Sequence, residues 1–170
     1  NLNDIVTSQA DGWWIFKGHI PVIIAFIIFI ISVTADTNRA PFDLAEAESE
    51  LIGGYHTKYS SMKLGFYLFA EYINMFISSV VMSTLFFGGY DIPFVNEVHL
   101  QESIGQWAVL LQALCLLTKV VGFIFFFMWV RWTIPRFRYD QLMNLGWKVL
   151  IPLALVNMLA TGGVLLFLNK

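Results

Sequence analysis

Four long apolar runs alternate with polar segments along this chain. The runs occupy about residues 15–35, 64–87, 107–130 and 149–168, and each reaches the roughly 20 residues that a helix needs to cross a bilayer. Only helices or closed barrels satisfy their backbone polar groups inside lipid. The pattern therefore predicts an all-α integral membrane protein, with about four transmembrane helices in a single transmembrane domain over residues 1–170.

The composition supports this fold class and excludes others. Hydrophobic residues make up 58% of the chain and charged residues 13%, and the mean hydropathy is +0.68. The net charge of −2 provides no basic field for a nucleic-acid partner. The single cysteine, Cys115, lies inside the third run, so the chain cannot form an intrachain disulfide or hold a cysteine-ligated zinc or iron–sulfur site of its own.

The distribution of lysine and arginine predicts the orientation. The segment 36–63 carries three, the segment between the second and third runs carries none, and the segment 131–148 carries four. The positive-inside rule then gives an acidic cytoplasmic loop at 36–63 and a basic cytoplasmic loop at 131–148. The chain begins at Asn1 without a methionine, and we expect it to be the C-terminal part of a longer protein.

The first loop holds a row of acids. Asn38 to Pro41 is typical of a helix start, because proline at the first helical position has no N–H to leave unpaired. In a helix from Pro41 to Leu51, three acids would share one face and Glu48 would point elsewhere; the three are Asp43, Glu46 and Glu50.

Such a row of like charges needs compensation. Burial near the membrane would keep at least one carboxyl protonated near neutral pH, which is what a proton relay requires. An exposed acidic cytoplasmic loop has the same spacing, so spacing alone leaves both interpretations open.

Glu71 lies inside the second run. A carboxylate there is costly and marks a functional or paired position by default. Asn74 and Ser78 share its helical face and complete a polar stripe. The alternative is an interfacial acid whose head reaches the membrane surface.

Lys119 lies near the middle of the third run. We expect it to pair with an acid or to give up its charge more readily than an exposed lysine, either as part of a relay or in a structural pair. His19, at the edge of the first run, is more typical of interfacial packing than of a ligand.

Three motifs point to a known family. They are TNRAPFDLAEAESEL at 37–51, GYHTKYSSMK at 54–63 and WVRWTIPRFRYDQLMNLGWKVLIPLALVN at 129–157. With them the chain closely resembles the H-subunit family of NADH-quinone oxidoreductase, the quinone-module membrane subunit of respiratory complex I, called subunit 1 in mitochondria. The resemblance covers nearly the whole chain and implies the last four helices of an eight-helix subunit.

The resemblance also implies roles for residues. Arg39, Phe42 and Asp43 would line the quinone chamber. The proton path would comprise Asp43, Glu46, Glu48, Glu50, Glu71 and Lys119. No residue would be directly catalytic and none would bind a metal. Two positions depart from many members, which have glutamate where this chain has Asp36 and Lys58. Lys58 puts in doubt any model that needs an acid there.

The implied activity is that of a translocase subunit in a proton-pumping NADH:ubiquinone or menaquinone reductase. Quinone would be the substrate, and FMN and iron–sulfur clusters would belong only to partner subunits. The implied partners are the hydrophilic-arm quinone-site subunits, small membrane subunits, antiporter-like subunits and the lipid bilayer. A bacterial inner membrane is favoured over a mitochondrial one.

Other interpretations remain open at this point. A related hydrogenase, or a complex with another electron donor, uses a similar membrane subunit. A stand-alone ion transporter could use the same charged helices, and a structural anchor would have little need for ionisable groups in or beside the membrane.

Overall fold

The computed structural model describes residues 2–9, 12–17, 19–43, 52–92 and 106–168, and all regular structure within these ranges is helical. Seven α-helices occur: α1 (Leu2–Thr7), α2 (Trp14–Lys17), α3 (His19–Asp36), α4 (Met62–Phe86), α5 (Gln106–Thr133), α6 (Tyr139–Asn144) and α7 (Ile151–Leu168). A 3₁₀ turn occupies Gly54–Thr57, and a π-helical segment, Leu145–Leu150, joins α6 to α7. The expected all-α fold class is confirmed.

Three helical stretches in these ranges are long and apolar enough to cross a membrane. They are Met62–Phe86, Trp107–Thr133 and Tyr139–Val164, and Ile20–Asp36 is a shorter apolar helix. Many large apolar side chains on these helices face outwards, among them Phe125 on α5 and Leu159 on α7. A lipid-facing helix has this surface, in agreement with an integral membrane protein.

The chain divides into two compact units. The first comprises Asn1–His19 and Ile73–Met128, and the second comprises Ile20–Tyr72 and Trp129–Lys170. In the first unit, α4 buries a face of small polar residues. The Ser79 hydroxyl donates to the Met75 carbonyl at 2.8 Å and the Ser83 hydroxyl to the Val80 carbonyl at 2.8 Å. Both hydroxyls are therefore satisfied within their own helix, and the buried face needs no polar partner for them.

In the second unit, Asn157 links α7 to α3. Its Nδ2 donates to the Pro21 carbonyl at 3.0 Å. A groove of about 390 Å³ lies beside this bond, between the two helices. Its wall is mostly apolar, and none of the predicted site residues lines it.

Proline and glycine end the helices at two predicted places. α5 ends at Thr133, just before Pro135, as the missing N–H and fixed φ of proline require. Gly53 and Gly54 have φ of +81° and +43° and follow the helical residue Ile52. Left-handed glycine is the common way to finish a helix.

The predicted helix start at Pro41 is wrong. Residues 40–42 form a turn and a bend, in which the Phe42 N–H donates to the Arg39 carbonyl at 2.8 Å. The Pro41 carbonyl accepts the Phe137 N–H at 2.9 Å. A helix beginning at Pro41 would use that carbonyl for its own first bond, so the contact with the basic loop replaces it.

Candidate functional site

The short segment from Arg39 to Asp43, here called the Arg39–Asp43 turn, is the most buried polar part of the second unit. Arg39 is 8% exposed and Asp43 is 7% exposed. Charged residues are almost never buried to this extent without a specific reason. The turn is therefore a candidate functional site on burial alone.

Phe42 and Phe137 hold the turn in place. Phe42 is buried, and its ring centroid lies 5.5 Å from that of Phe137. The same pair of segments is joined by the backbone bond from Phe137 to Pro41. The two loops that the sequence predicts to be cytoplasmic thus meet through one aromatic contact and one hydrogen bond.

Arg39 is held by an aromatic ring. Its Cζ lies 4.3 Å from the centroid of the Tyr72 ring on α4, a cation–π geometry. Its Nε is buried and finds no hydrogen-bond acceptor within the described ranges. A buried guanidinium N–H without an acceptor is costly, so this donor is available to a group that the described residues do not supply.

Two carboxylates of the predicted proton path come together near the turn. Glu71 and Asp43 both lie close enough to Tyr67 to act electrostatically on its hydroxyl, and Tyr59 does so more weakly. Glu71 is half-buried on α4, one residue before Tyr72. The structure thus gathers Arg39, Phe42, Asp43 and Glu71, all four of which the sequence predicted as site residues.

Sequence reasoning missed the two tyrosines. Tyr67 and Tyr72 flank Glu71 on α4 at offsets of four and one residues. An aromatic or hydroxyl group one helical turn from an intramembrane acid is a usable signal, because polar groups cluster on one side of such a helix. Glu46, Glu48 and Glu50 lie outside the described residues.

Lys119 belongs to the first unit and has a different environment. Its ammonium donates to three backbone carbonyls, those of Phe87 at 2.8 Å, Gly89 at 2.9 Å and Asp91 at 2.7 Å. It also lies 4.6 Å from the centroid of the Trp13 ring. The predicted acid partner exists as well, since the Asp91 carboxylate, in a residue only 5% exposed, acts electrostatically on Lys119.

Metal-binding residues do not gather in the described part of the chain. No group of three histidine, cysteine, aspartate or glutamate side chains there could hold an ion. What the second-unit site can do is hold a polar group: it combines a buried cation with a spare donor, two carboxylates and two phenols.

Comparison with known proteins gives the family. A family model described as NADH dehydrogenase matches residues 1–162. The NADH-quinone oxidoreductase H subunit of Flavobacterium psychrophilum is 63% identical over 168 residues, covering 98% of this chain and 47% of that protein. The Flavobacterium johnsoniae protein of the same name is 61% identical, over 95% of this chain and 45% of its own length.

A third relative, the first of the NADH-quinone oxidoreductase H subunits of Cytophaga hutchinsonii, is 55% identical over 98% of this chain and 47% of its own length. The chain thus spans about half the length of the curated relatives it matches. The family expected from the loop motifs is confirmed by identity that extends over almost every residue. The chain belongs to the NADH dehydrogenase family, as a relative of the H subunit of NADH-quinone oxidoreductase.

Proposed function

We propose that this chain is part of a membrane subunit of a proton-pumping NADH:quinone oxidoreductase, where it helps to form the quinone chamber and couples quinone reduction to proton translocation. The observation that carries the proposal is the Arg39–Asp43 turn, with its buried cation, its buried carboxylate and its spare guanidinium donor. Quinone carbonyl oxygens are acceptors, and reduction places negative charge on them, which a nearby arginine stabilises.

The proposed coupling uses the carboxylates near the turn. Charge that forms on the quinone changes the proton affinity of neighbouring acids, because opposite and like charges act strongly in a low dielectric. Asp43 and Glu71 share Tyr67 as a neighbour, so protonation of one would be felt by the other. Glu46, Glu48 and Glu50 would extend this path, and Arg39 and Phe42 would line the chamber.

The proposal assigns redox cofactors to partners. Electrons would arrive from an iron–sulfur cluster in a hydrophilic-arm subunit, with FMN further upstream, and protons would pass to small and antiporter-like membrane subunits. The bacterial relatives favour an inner membrane as the location.

The test is Asp43→Asn in the full-length subunit, within the assembled complex in membrane vesicles. We expect NADH oxidation with quinone to fall on the order of tenfold or more, the lower end of what a positioned proton-transfer group contributes. NADH oxidation with a water-soluble acceptor served by the hydrophilic arm should not change, because it bypasses the chamber. Glu71→Gln should behave in the same way.

The matched control is Asp4→Asn, which removes an exposed carboxylate in the first unit. It should leave both rates and proton pumping at the wild-type level. If Asp43→Asn and Glu71→Gln likewise leave quinone reduction and pumping intact in an assembled complex, the proposed coupling is wrong and the turn is a structural joint.

A further inference from the structure

We propose that Lys119 is a fixed structural cation that holds the non-helical end of α4 at membrane depth, and that it does not exchange a proton during turnover. The lysine lies near the middle of α5, a helix of 28 residues. At about 1.5 Å per residue it is roughly 20 Å from either end. The backbone that it contacts, Phe87 to Asp91, therefore lies at the depth of the membrane core.

Irregular backbone at this depth needs partners for its polar groups. After α4 ends at Phe86, Gly88 and Gly89 adopt φ of +69° and +55° and turn the chain. The last carbonyls of the helix then lack intrahelical donors. Lipid supplies none, so such a segment is stable only where protein groups satisfy it.

Two side chains from elsewhere in the first unit satisfy this segment. Gln9, which is fully buried, donates through Nε2 to the carbonyls of Thr84 and Leu85, both at 3.1 Å. Lys119 donates to the three carbonyls that follow, at 2.7 to 2.9 Å. Five consecutive or near-consecutive carbonyls are thus bonded by one amide and one ammonium.

The donor count favours a permanent charge on Lys119. An ammonium has three N–H donors, and three carbonyls take all of them. A neutral amine has two N–H groups and a lone pair, so loss of the proton would leave one carbonyl without a donor and point a lone pair at it. The Trp13 ring on one side and the Asp91 carboxylate nearby both favour a cation in this place.

Cys115 supplies a reporter of this arrangement. Its thiol, one helical turn before Lys119, donates to the Asp91 carbonyl at 3.6 Å and is half-buried. If the segment leaves Lys119, the thiol loses this partner and becomes accessible. A membrane-permeant maleimide, with the modified peptide quantified by mass spectrometry, would measure how often that happens in the assembled complex.

Three variants of the full-length subunit separate the two roles. In Lys119→Met we expect Cys115 to react roughly tenfold faster, because labelling follows the population of the opened segment. In Lys119→Arg we expect protection of Cys115 to be retained, since a guanidinium is also a multiple donor. Lys63→Met, at an exposed lysine of α4, is the control and should leave the labelling rate unchanged.

Proton pumping gives the second readout, and this readout alone rests on the proposed function. Arginine cannot release a proton in a protein, so an assembled Lys119→Arg complex that pumps the normal number of protons per NADH supports a fixed cation. The inference is overturned if that complex protects Cys115 and oxidises NADH but no longer pumps. It is also overturned if Lys119→Met assembles and Cys115 reacts at the wild-type rate.

Should Lys119→Arg fail to assemble because the larger head does not fit, the Lys119→Met labelling rate decides the question by itself. Failure of the proposed function would appear differently, as normal quinone-linked turnover in Asp43→Asn, and would leave the labelling result untouched.

Discussion

At the scale of single residues, Arg39 is the most informative position in the second unit. It is 8% exposed, its Cζ lies over the Tyr72 ring, and its Nε has no acceptor among the described residues. An aromatic face compensates part of the cost of burying a cation without occupying its N–H donors. Tyr72 can therefore keep the guanidinium buried and still leave a donor for a ligand.

This arrangement predicts different effects for two substitutions of Tyr72. Tyr72→Phe retains the ring under Arg39 and should keep quinone-linked NADH oxidation near the wild-type rate. Tyr72→Leu removes an interaction of about 0.5–2 kcal/mol and should lower that rate roughly two- to thirtyfold, by the usual conversion of free energy into a ratio. The measurement is the quinone-linked rate in vesicles containing equal amounts of assembled complex.

Phe69→Leu is the control for Tyr72, because Phe69 is an exposed aromatic residue on the same helix. It should have no effect on the rate. Equal activities of the Tyr72→Leu and Tyr72→Phe complexes would mean that the ring does not position Arg39.

At the scale of elements, the end of α4 depends on a glycine that nothing else can replace. Gly88 has φ of +69°, and a Cβ there would lie 2.9 Å from Cδ1 of Trp13. A left-handed backbone costs a residue with a Cβ roughly 1–2 kcal/mol, and the contact with Trp13 adds to that cost. Gly88→Ala should therefore lower the thermal unfolding midpoint of the subunit by several degrees, at about 2–4 °C per kcal/mol.

Gly65→Ala tests whether this effect belongs to the helix end. Gly65 lies on the same helix, has no described atom within 4 Å of an added Cβ and does not have a positive φ. Alanine there should leave the midpoint unchanged or raise it slightly, since it is the better helix former. Tryptophan fluorescence during heating of the complex in mild detergent would compare the two variants. Equal midpoints would show that α4 tolerates a side chain at its end.

The helices themselves could be predicted from the sequence, because a long apolar run has few other stable states in a membrane protein. The break before Pro135 followed from the chemistry of one residue. The start at Pro41 could not be predicted, because the bond that decides it comes from Phe137, which lies far along the chain. Local propensity is overridden wherever such a distant partner exists.

The candidate site was predicted in its residue types more successfully than in its contacts. A buried acid in an apolar run is visible from sequence, and Glu71 and Asp43 were found in this way. Lys119 was expected to meet an acid, yet its direct bonds are to carbonyls. The paired glycines after α4 were the available signal, since a helix that ends inside a membrane leaves carbonyls that need donors.

At the scale of the whole molecule, the outward apolar side chains require a covering. Trp132 is 87% exposed and Leu159 is 71% exposed, and both lie on stretches that could cross a membrane. Lipid covers such surfaces in a stand-alone transporter, whereas neighbouring subunits cover part of them in a large complex. The size of the assembly therefore separates the proposed function from a rival of a different class.

The corresponding prediction concerns the tagged full-length subunit, extracted in mild detergent and separated on a native gel. We expect it to migrate in a very large assembly whose band oxidises NADH with a water-soluble acceptor, because the proposed partners include the NADH-oxidising arm. The same band should not oxidise hydrogen, which distinguishes it from the related hydrogenases. Migration as a small oligomer without NADH oxidation would instead favour the transporter, and the buried acids would then serve ion passage without any quinone.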